Sequence, residues 1–352
     1  MCVLCDQARA QRFGAVQATG GWPLQGLSIA PDELIDRGNA GFSRAITATD
    51  GVLDYYLHTP GGAVVVAEGG GGFNAQTIQS VAISAADQAF FRDMVIRLDG
   101  IIDLDFRETG FAPWADVALY YDSEIELGDG GTTVGLATNS GNTWELFVSH
   151  PEVADDEAYR RYVNIHEFGH ALGLEHPFDG GDGDVVQGTT DPWLSAYPED
   201  TVMAYRNPAS GEWPDFFSIN DLNALIEIWG AEPRWLSAVD DVFTGAPYRD
   251  VVFGLQGNDS LDGALGSDWL DGGLGNDLIW GREGADTFRL SAGSDWILDY
   301  AYAEGDRIEL KASEGYALAE DAGNLQIWTS LGVTLLMGVS ISQFPDDAIV
   351  LV

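Results

Sequence analysis

The chain has 352 residues, 45% of them apolar and 11% aromatic, enough to bury two cores and inconsistent with disorder. Its 56 acidic residues face only 16 basic ones, a formal charge of −40, so it repels phosphate backbones and anionic lipid and excludes nucleic acid as a partner. The same charge should draw cations, calcium above all, besides any general solubilising role in a saline habitat. No apolar run reaches the ~18 residues of a membrane span.

The first thirty residues, with Gly20-Gly21, Pro23 and no sustained period, read as a loosely structured segment. Met1 to Phe13 lacks a basic stretch followed by an apolar one, so no ordinary N-terminal signal peptide is expected. Val64-Val65-Val66 predicts a short strand and Gly69 to Gly72 a loop. Ser84-Ala85-Ala86-Asp87 predicts a capped helix running to about Leu98. Ile101 to Phe106, Val117 to Tyr121, Thr132 to Ala137 and Trp144 to Val148 predict strands. A helix is expected from Asp155-Asp156 to Gly173, its acidic start suiting the helix dipole, and another from Ile219 to Trp229, ended by Gly230. Together these predict a mixed α/β domain over 31–235. After Pro233 the texture changes, and from Gly254 the sequence repeats every nine residues, placing a second domain at 236–352.

The chemistry concentrates in His166-Glu167-Phe168-Gly169-His170-Ala171-Leu172-Gly173-Leu174-Glu175-His176. Histidines at i and i+4 share one helix face and can hold a single zinc. Glu167, next to the first ligand, is placed to take a proton from a water on that ion. Gly173 permits the left-handed turn that ends the helix and brings His176 back as third ligand. Three protein ligands leave one position open, the pattern of a catalytic site. His58 and His150 have no comparable partners and are expected on the surface or in loops.

At these residues the sequence resembles the metzincin metalloproteases, and within them the serralysin branch. That resemblance implies an α/β catalytic domain, a twisted mixed sheet with long helices, that hydrolyses peptide bonds. Thr201-Val202-Met203-Ala204-Tyr205 matches the family's methionine turn. By the resemblance Met203 floors the zinc site and Tyr205 is the tyrosine that stabilises the oxyanion.

In the repeat, G-x-x-G-x-D-x-U-x runs four times, with U apolar. Its first glycines are Gly254, Gly263, Gly272 and Gly281 and its second are Gly257, Gly266, Gly275 and Gly284. Its aspartates are Asp259, Asp268, Asp277 and Asp286. Glycines for tight turns, carboxylates for calcium and an inward apolar residue predict an all-β parallel β-roll that needs calcium to fold. The pattern resembles the RTX repeat of proteins exported by type I secretion. Asp286 to Phe288, Asp295 to Tyr300 and Gly305 to Ile308 resemble the C-terminal region of serralysins. Asp346-Asp347 followed by Ala348 to Val352 resembles their uncleaved secretion signal. The resemblance thus implies a secreted, extracellular protein of a Gram-negative bacterium. Its partners would be protein or peptide substrates, the type I secretion apparatus and a proteinaceous inhibitor, with the chain acting as a monomer.

Cys2 and Cys5 are the only cysteines, so no disulfide framework holds the fold. A thiolate from one of them could fill the open zinc position in a latent form, making 1–30 an inhibitory prosegment. A local disulfide, lipid or metal attachment, or no role, are the competing readings. The rival for the whole chain is a calcium-dependent RTX surface or adhesive protein whose protease-like domain only binds.

Overall fold

A computed structural model describes residues 26–66, 75–125, 133–181 and 183–352. Cys2, Cys5 and the glycine run 69–72 lie outside the described residues. The chain divides into two compact units, Met1–Gly230 and Ala231–Val352.

In the first unit the elements run α1 (Arg37–Thr47), β1 (Val52–Leu57), β2 (Gly62–Val66), β3 (Gln76–Val81), α2 (Ala85–Asp99), β4 (Asp105–Glu108), β5 (Val117–Asp122), β6 (Gly135–Ser140), β7 (Thr143–Ser149), α3 (His150–Val153), α4 (Glu157–Leu172) and α5 (Ile219–Trp229). Strands β4, β1, β5 and β7 pair side by side in parallel, and β6 adds antiparallel to β7. The β2–β3 hairpin joins antiparallel at the end of β5, through Ser80 and Val81. Every residue of β5 is buried, as expected of a central parallel strand.

The helices begin where capping groups satisfy their first N–H groups. The Ser84 hydroxyl accepts the Asp87 N–H at 3.1 Å, and Asp156 does the same for Tyr159 at 2.9 Å. Helix α4 packs through Phe168 on Phe91 of α2, ring centroids 5.1 Å apart, and the Asp87–Arg160 ion pair ties the two helices. Trp144 of β7 is buried and donates through Nε1 to Ser43 of α1 at 2.9 Å, while Ser43 donates to the Ala171 carbonyl at 2.7 Å. The sheet, α1 and the end of α4 are thereby one packed body.

Two sequence expectations shift. The strand expected from Ile101 begins only at Asp105, because Ile102 and Leu104 are buried in a turn rather than in a sheet row. The strand expected from Thr132 begins at Gly135 and runs to Ser140. Helix α1 and strands β1 and β3 had no sequence expectation.

The second unit is built of short parallel strands, two to six residues long up to β17. They are β8 (Pro233–Trp235), β9 (Val242–Thr244), β10 (Val251–Phe253), β11 (Ser260–Asp262), β12 (Trp269–Asp271), β13 (Leu274–Gly275), β14 (Leu278–Trp280), β15 (Thr287–Arg289), β16 (Ala292–Ile297) and β17 (Arg307–Leu310). Successive repeats alternate between two sheets: β8-β10-β12-β15-β17 in one and β9-β11-β14-β16 in the other. Val252, Leu261, Leu270, Ile279, Phe288, Ile297 and Ile308 fill the space between them. The chain closes with β18 (Tyr316–Asp321), β19 (Asn324–Thr329) and β20 (Val333–Leu336) beside β16, and β21 (Ile349–Leu351) beside β17.

Gly173, at φ 108°, is left-handed, and a Cβ there would sit 2.8 Å from Ala40 Cβ and 3.0 Å from Ile228 Cδ1. Gly173→Ala should therefore cost about 1–3 kcal/mol. Urea unfolding in calcium, followed at the helical circular dichroism band, should show an earlier midpoint; an unchanged one would refute the reading of this turn.

Candidate metal centre

Helix α4 carries His166, Glu167 and His170 on its buried side, and the left-handed turn at Gly173 returns the chain along Leu34 to Asp36. Leu174 pairs with Ile35 as an isolated bridge, the Glu175 N–H donates to the Leu34 carbonyl at 2.9 Å, and the Asp36 N–H donates to the Gly173 carbonyl at 2.9 Å. His176 follows from this anchored segment. The three imidazoles place one nitrogen each within 4.8 Å of one another, and all three residues are buried.

Their tautomers are set by backbone carbonyls. His166 Nδ1–H donates to Val202 at 2.8 Å and His170 Nδ1–H donates to Leu174 at 2.9 Å, leaving each Nε2 with a lone pair. Nε2 of His170 is buried and has no hydrogen-bond partner among the described residues. Burial pulls the pKa of His166 down to about 4 and those of His170 and His176 well below the usual range, so all three are neutral, the form that binds a metal. Three neutral imidazoles converging on one point fit zinc by ligand type and number.

Glu167 is fully buried, and neither carboxylate oxygen accepts a hydrogen bond from the described residues. Desolvation raises its pKa well above the ordinary carboxyl value. Gly135, on β6, makes its room: a Cβ there would sit 2.9 Å from Glu167 Cδ and 2.9 Å from Val163 Cγ1. Sequence inspection missed Gly135, because the contact joins strand to helix across 32 positions and no local pattern marks it.

Met203 Sδ comes so close to α4 that a Cβ on Gly169, the residue before His170, would sit 2.8 Å from it. Asp221, also missed, holds this turn. Its carboxylate accepts from the Thr201 hydroxyl at 2.5 Å, the Val202 N–H at 2.9 Å and the Ser218 N–H at 2.8 Å. Burial raises the Asp221 pKa and these donors oppose the rise. The available signal was the Ser218-x-x-Asp221 capping box at the start of α5. The Tyr205 ring lies 4.8 Å from His176 and 4.8 Å from Phe178, which itself stacks on His176 at 4.9 Å. His58 lies in the loop just after β1 but is buried rather than at the surface, its Nδ1 3.1 Å from the Tyr56 hydroxyl and its ring 5.0 Å from Tyr120, and it is not one of the three clustered histidines. His150 starts α3, partly buried, with its ring 5.8 Å from Tyr121.

In the second unit the four repeat aspartates act alike. Oδ1 of Asp259, Asp268, Asp277 and Asp286 accepts the N–H of the residue 18 positions earlier, at 2.8, 2.8, 2.8 and 2.9 Å. Oδ2 of each is buried without a hydrogen-bond partner among the described residues and faces the first glycine of its own repeat, Gly254, Gly263, Gly272 or Gly281. The second glycines Gly257, Gly266, Gly275 and Gly284 all take positive φ, between 130° and 144°. Buried acceptor oxygens with no donor fit a hard cation. The ladder is longer than the four repeats read from sequence. Asp250, Asp295 and Asp306 extend it: the Asp250 N–H donates to Asp268 Oδ1, the Asp277 N–H to Asp295 Oδ1 and the Asp286 N–H to Asp306 Oδ1.

The model of the RTX calcium-binding nonapeptide repeat (4 copies) matches residues 237–270 and 263–297. This chain carries RTX calcium-binding repeats. Serralysin A of Dickeya chrysanthemi is 32% identical over 108 residues, 28% of this chain and 21% of its own length. Serralysin C of the same organism is 32% identical over 110 residues, 28% of this chain and 22% of its own length. The chain spans about a fifth of the length of the curated relatives it matches. Among solved structures, the R3 subunit of an Azotobacter vinelandii mannuronan C5-epimerase is 30% identical with a TM-score of 0.27, covering 32% of this chain and 79% of that one. Among the described residues no helix is long and apolar enough to cross a membrane.

Burial pushes the carboxyl of Asp268 up to about 8 and those of Asp286 and Asp295 to about 6. Raised above an unfolded value of about 3.9, such groups stabilise the ion-free fold fully below that pH and lose the contribution as pH rises through their folded values. The ion-free repeats should therefore exchange amide hydrogens slowly near pH 4 and progressively faster towards pH 8, after correction for intrinsic exchange. Calcium, taking the place of the protons, should protect them at pH 8. Equal protection with chelator at both pH values would contradict this account.

Proposed function

We propose that the chain is a secreted zinc-dependent endopeptidase whose first unit cleaves peptide bonds and whose RTX unit folds around calcium. One observation carries this reading: three buried neutral imidazoles converge beside a buried carboxylate that no described residue satisfies. A purely structural zinc site is closed by four protein ligands and has no use for Glu167. The partial likeness to serralysins supports the same reading.

Zinc held by His166, His170 and His176 supplies a Lewis acid for the scissile carbonyl and for water. Glu167 takes the proton from the attacking water on one carboxylate oxygen and returns it to the leaving amine. Tyr205, its ring against His176, offers a phenolic O–H to the carbonyl oxygen as charge develops there. Met203 and Gly169 set the depth of the floor beneath the ligands. Among the described residues β6 pairs only with β7, so its outer edge can take an extended peptide as an added strand, and Gly135 sets that edge against Glu167. Export through the C-terminal segment belongs to the same proposal.

Glu167→Gln should keep its zinc and lose on the order of 10²–10⁴-fold in kcat on casein. Parent-rate cleavage by a zinc-replete Glu167→Gln protein would end the assignment. Gly135→Ala, which drives a methyl group into Glu167, should lower kcat at least tenfold, about 1.4 kcal/mol in barrier, with zinc content unchanged. Full activity in that variant would show that β6 does not position the base.

A further inference from the structure

We propose that Asp221 acts on the ligand His166 from a distance, through an aligned relay of a hydroxyl and one peptide unit, and so sets the site's zinc affinity. The inference rests on the zinc reading above and deepens it. His166 Nδ1–H donates to the Val202 carbonyl at 2.8 Å. The N–H of that same peptide unit, on Met203, donates to Thr201 Oγ1 at 3.1 Å, and the Thr201 hydroxyl donates to Asp221 Oδ1 at 2.5 Å. Every donor in this series points the same way, from imidazole to carboxylate.

Such a series is cooperative. An anion at its end polarises the hydroxyl, the hydroxyl polarises the peptide, and the Val202 carbonyl becomes a stronger acceptor for the imidazole N–H. Electron density is thereby pushed towards His166 Nε2, the atom left for the metal. Asp221, Thr201 and Val202 are all fully buried, so water does not screen the effect. The other carboxylate oxygen of Asp221 accepts the Val202 and Ser218 N–H groups, and these donors favour the anion.

His170 is the internal contrast. Its Nδ1–H donates to the Leu174 carbonyl at 2.9 Å, but the N–H of that peptide unit, on Glu175, goes to the neutral Leu34 carbonyl at 2.9 Å. The two ligands on α4 therefore differ in what stands behind them: a carboxylate for His166 and a backbone carbonyl for His170. Asp221 touches neither zinc nor substrate and is a positioning residue.

Thr201→Val keeps the side-chain shape but breaks the relay at the hydroxyl, and Asp221→Asn removes the charge at its end. Zinc affinity of the full chain in calcium, measured against a chromogenic chelator, should fall 10–100-fold in each variant. Thr201→Ser, which keeps the hydroxyl, should stay near the parent value. In proton spectra of the zinc-loaded chain the His166 Nδ1–H resonance should move upfield in Thr201→Val and Asp221→Asn while that of His170 stays in place. If one variant fails to fold, the other still decides, because each breaks a different link. Parent-like affinity in a folded Thr201→Val or Asp221→Asn protein, or equal movement of both imidazole resonances, would overturn the relay. A parent chain that takes up no zinc would instead overturn the endopeptidase reading on which the relay rests.

Discussion

Both units bury ionisable groups that no described residue satisfies. A carboxylate or an imidazole lone pair taken from water without a partner costs several times what an ordinary hydrogen bond returns. Glu167 and His170 Nε2 in the first unit, and Oδ2 of Asp259, Asp268, Asp277 and Asp286 in the second, are all in this condition. A bound cation would lower the cost in both places, and the two donor sets ask for different cations. Neutral imidazole nitrogens suit zinc, whereas carboxylate and carbonyl oxygens suit calcium.

Missing Cβ atoms make these arrangements possible. Gly135 gives Glu167 its space, Gly169 admits Met203 Sδ, and Gly173 turns the chain while letting Ala40 and Ile228 close in. In the roll the residue after the first glycine also takes positive φ even when it is not glycine, as at Leu255, Ala264 and Arg282, near 71–74°. Each such residue costs on the order of 1 kcal/mol or more. The ion-free roll therefore carries backbone strain in addition to its unpaired carboxylates, and both weigh against folding until calcium binds.

What could be read from the sequence follows the range of the interactions. Helix α4 was legible end to end because Asp156, the spacing of His166 and His170, and Gly173 are all local signals. The repeats from Gly254 to Asp286 were legible because nine-residue spacing recurs in three residue types at once. Asp250, Asp295 and Asp306 sit on the same ladder but escaped, since the repeat loses one or both of its glycines there while the aspartate keeps a hydrogen bond to a neighbouring rung. Strand β1 escaped because Leu53, Tyr55 and Leu57 alternate for only six residues between a helix and a loop. Gly135 and Asp221 escaped for a different reason: their roles exist only once distant segments meet. Ile102 and Leu104 misled, because alternation of buried apolar residues looks the same in a turn packed on a core as in a strand.

The charge of −40 acquires a specific meaning from this distribution. The described ion pairs use few of the acids, and most are exposed, such as Arg107–Asp54 and Arg282–Asp262, where pairing adds little. The acids that matter most are instead the buried ones with no ion-pair partner among the described residues. Replacing the roll aspartates by pairing them with lysines would satisfy the charge and remove the ion, giving a roll folded at all times. A chain with Lys311 as its single lysine leaves the roll carboxylates to a cation, and on the reading proposed above folding of the second unit would be tied to that ion's concentration in the surroundings.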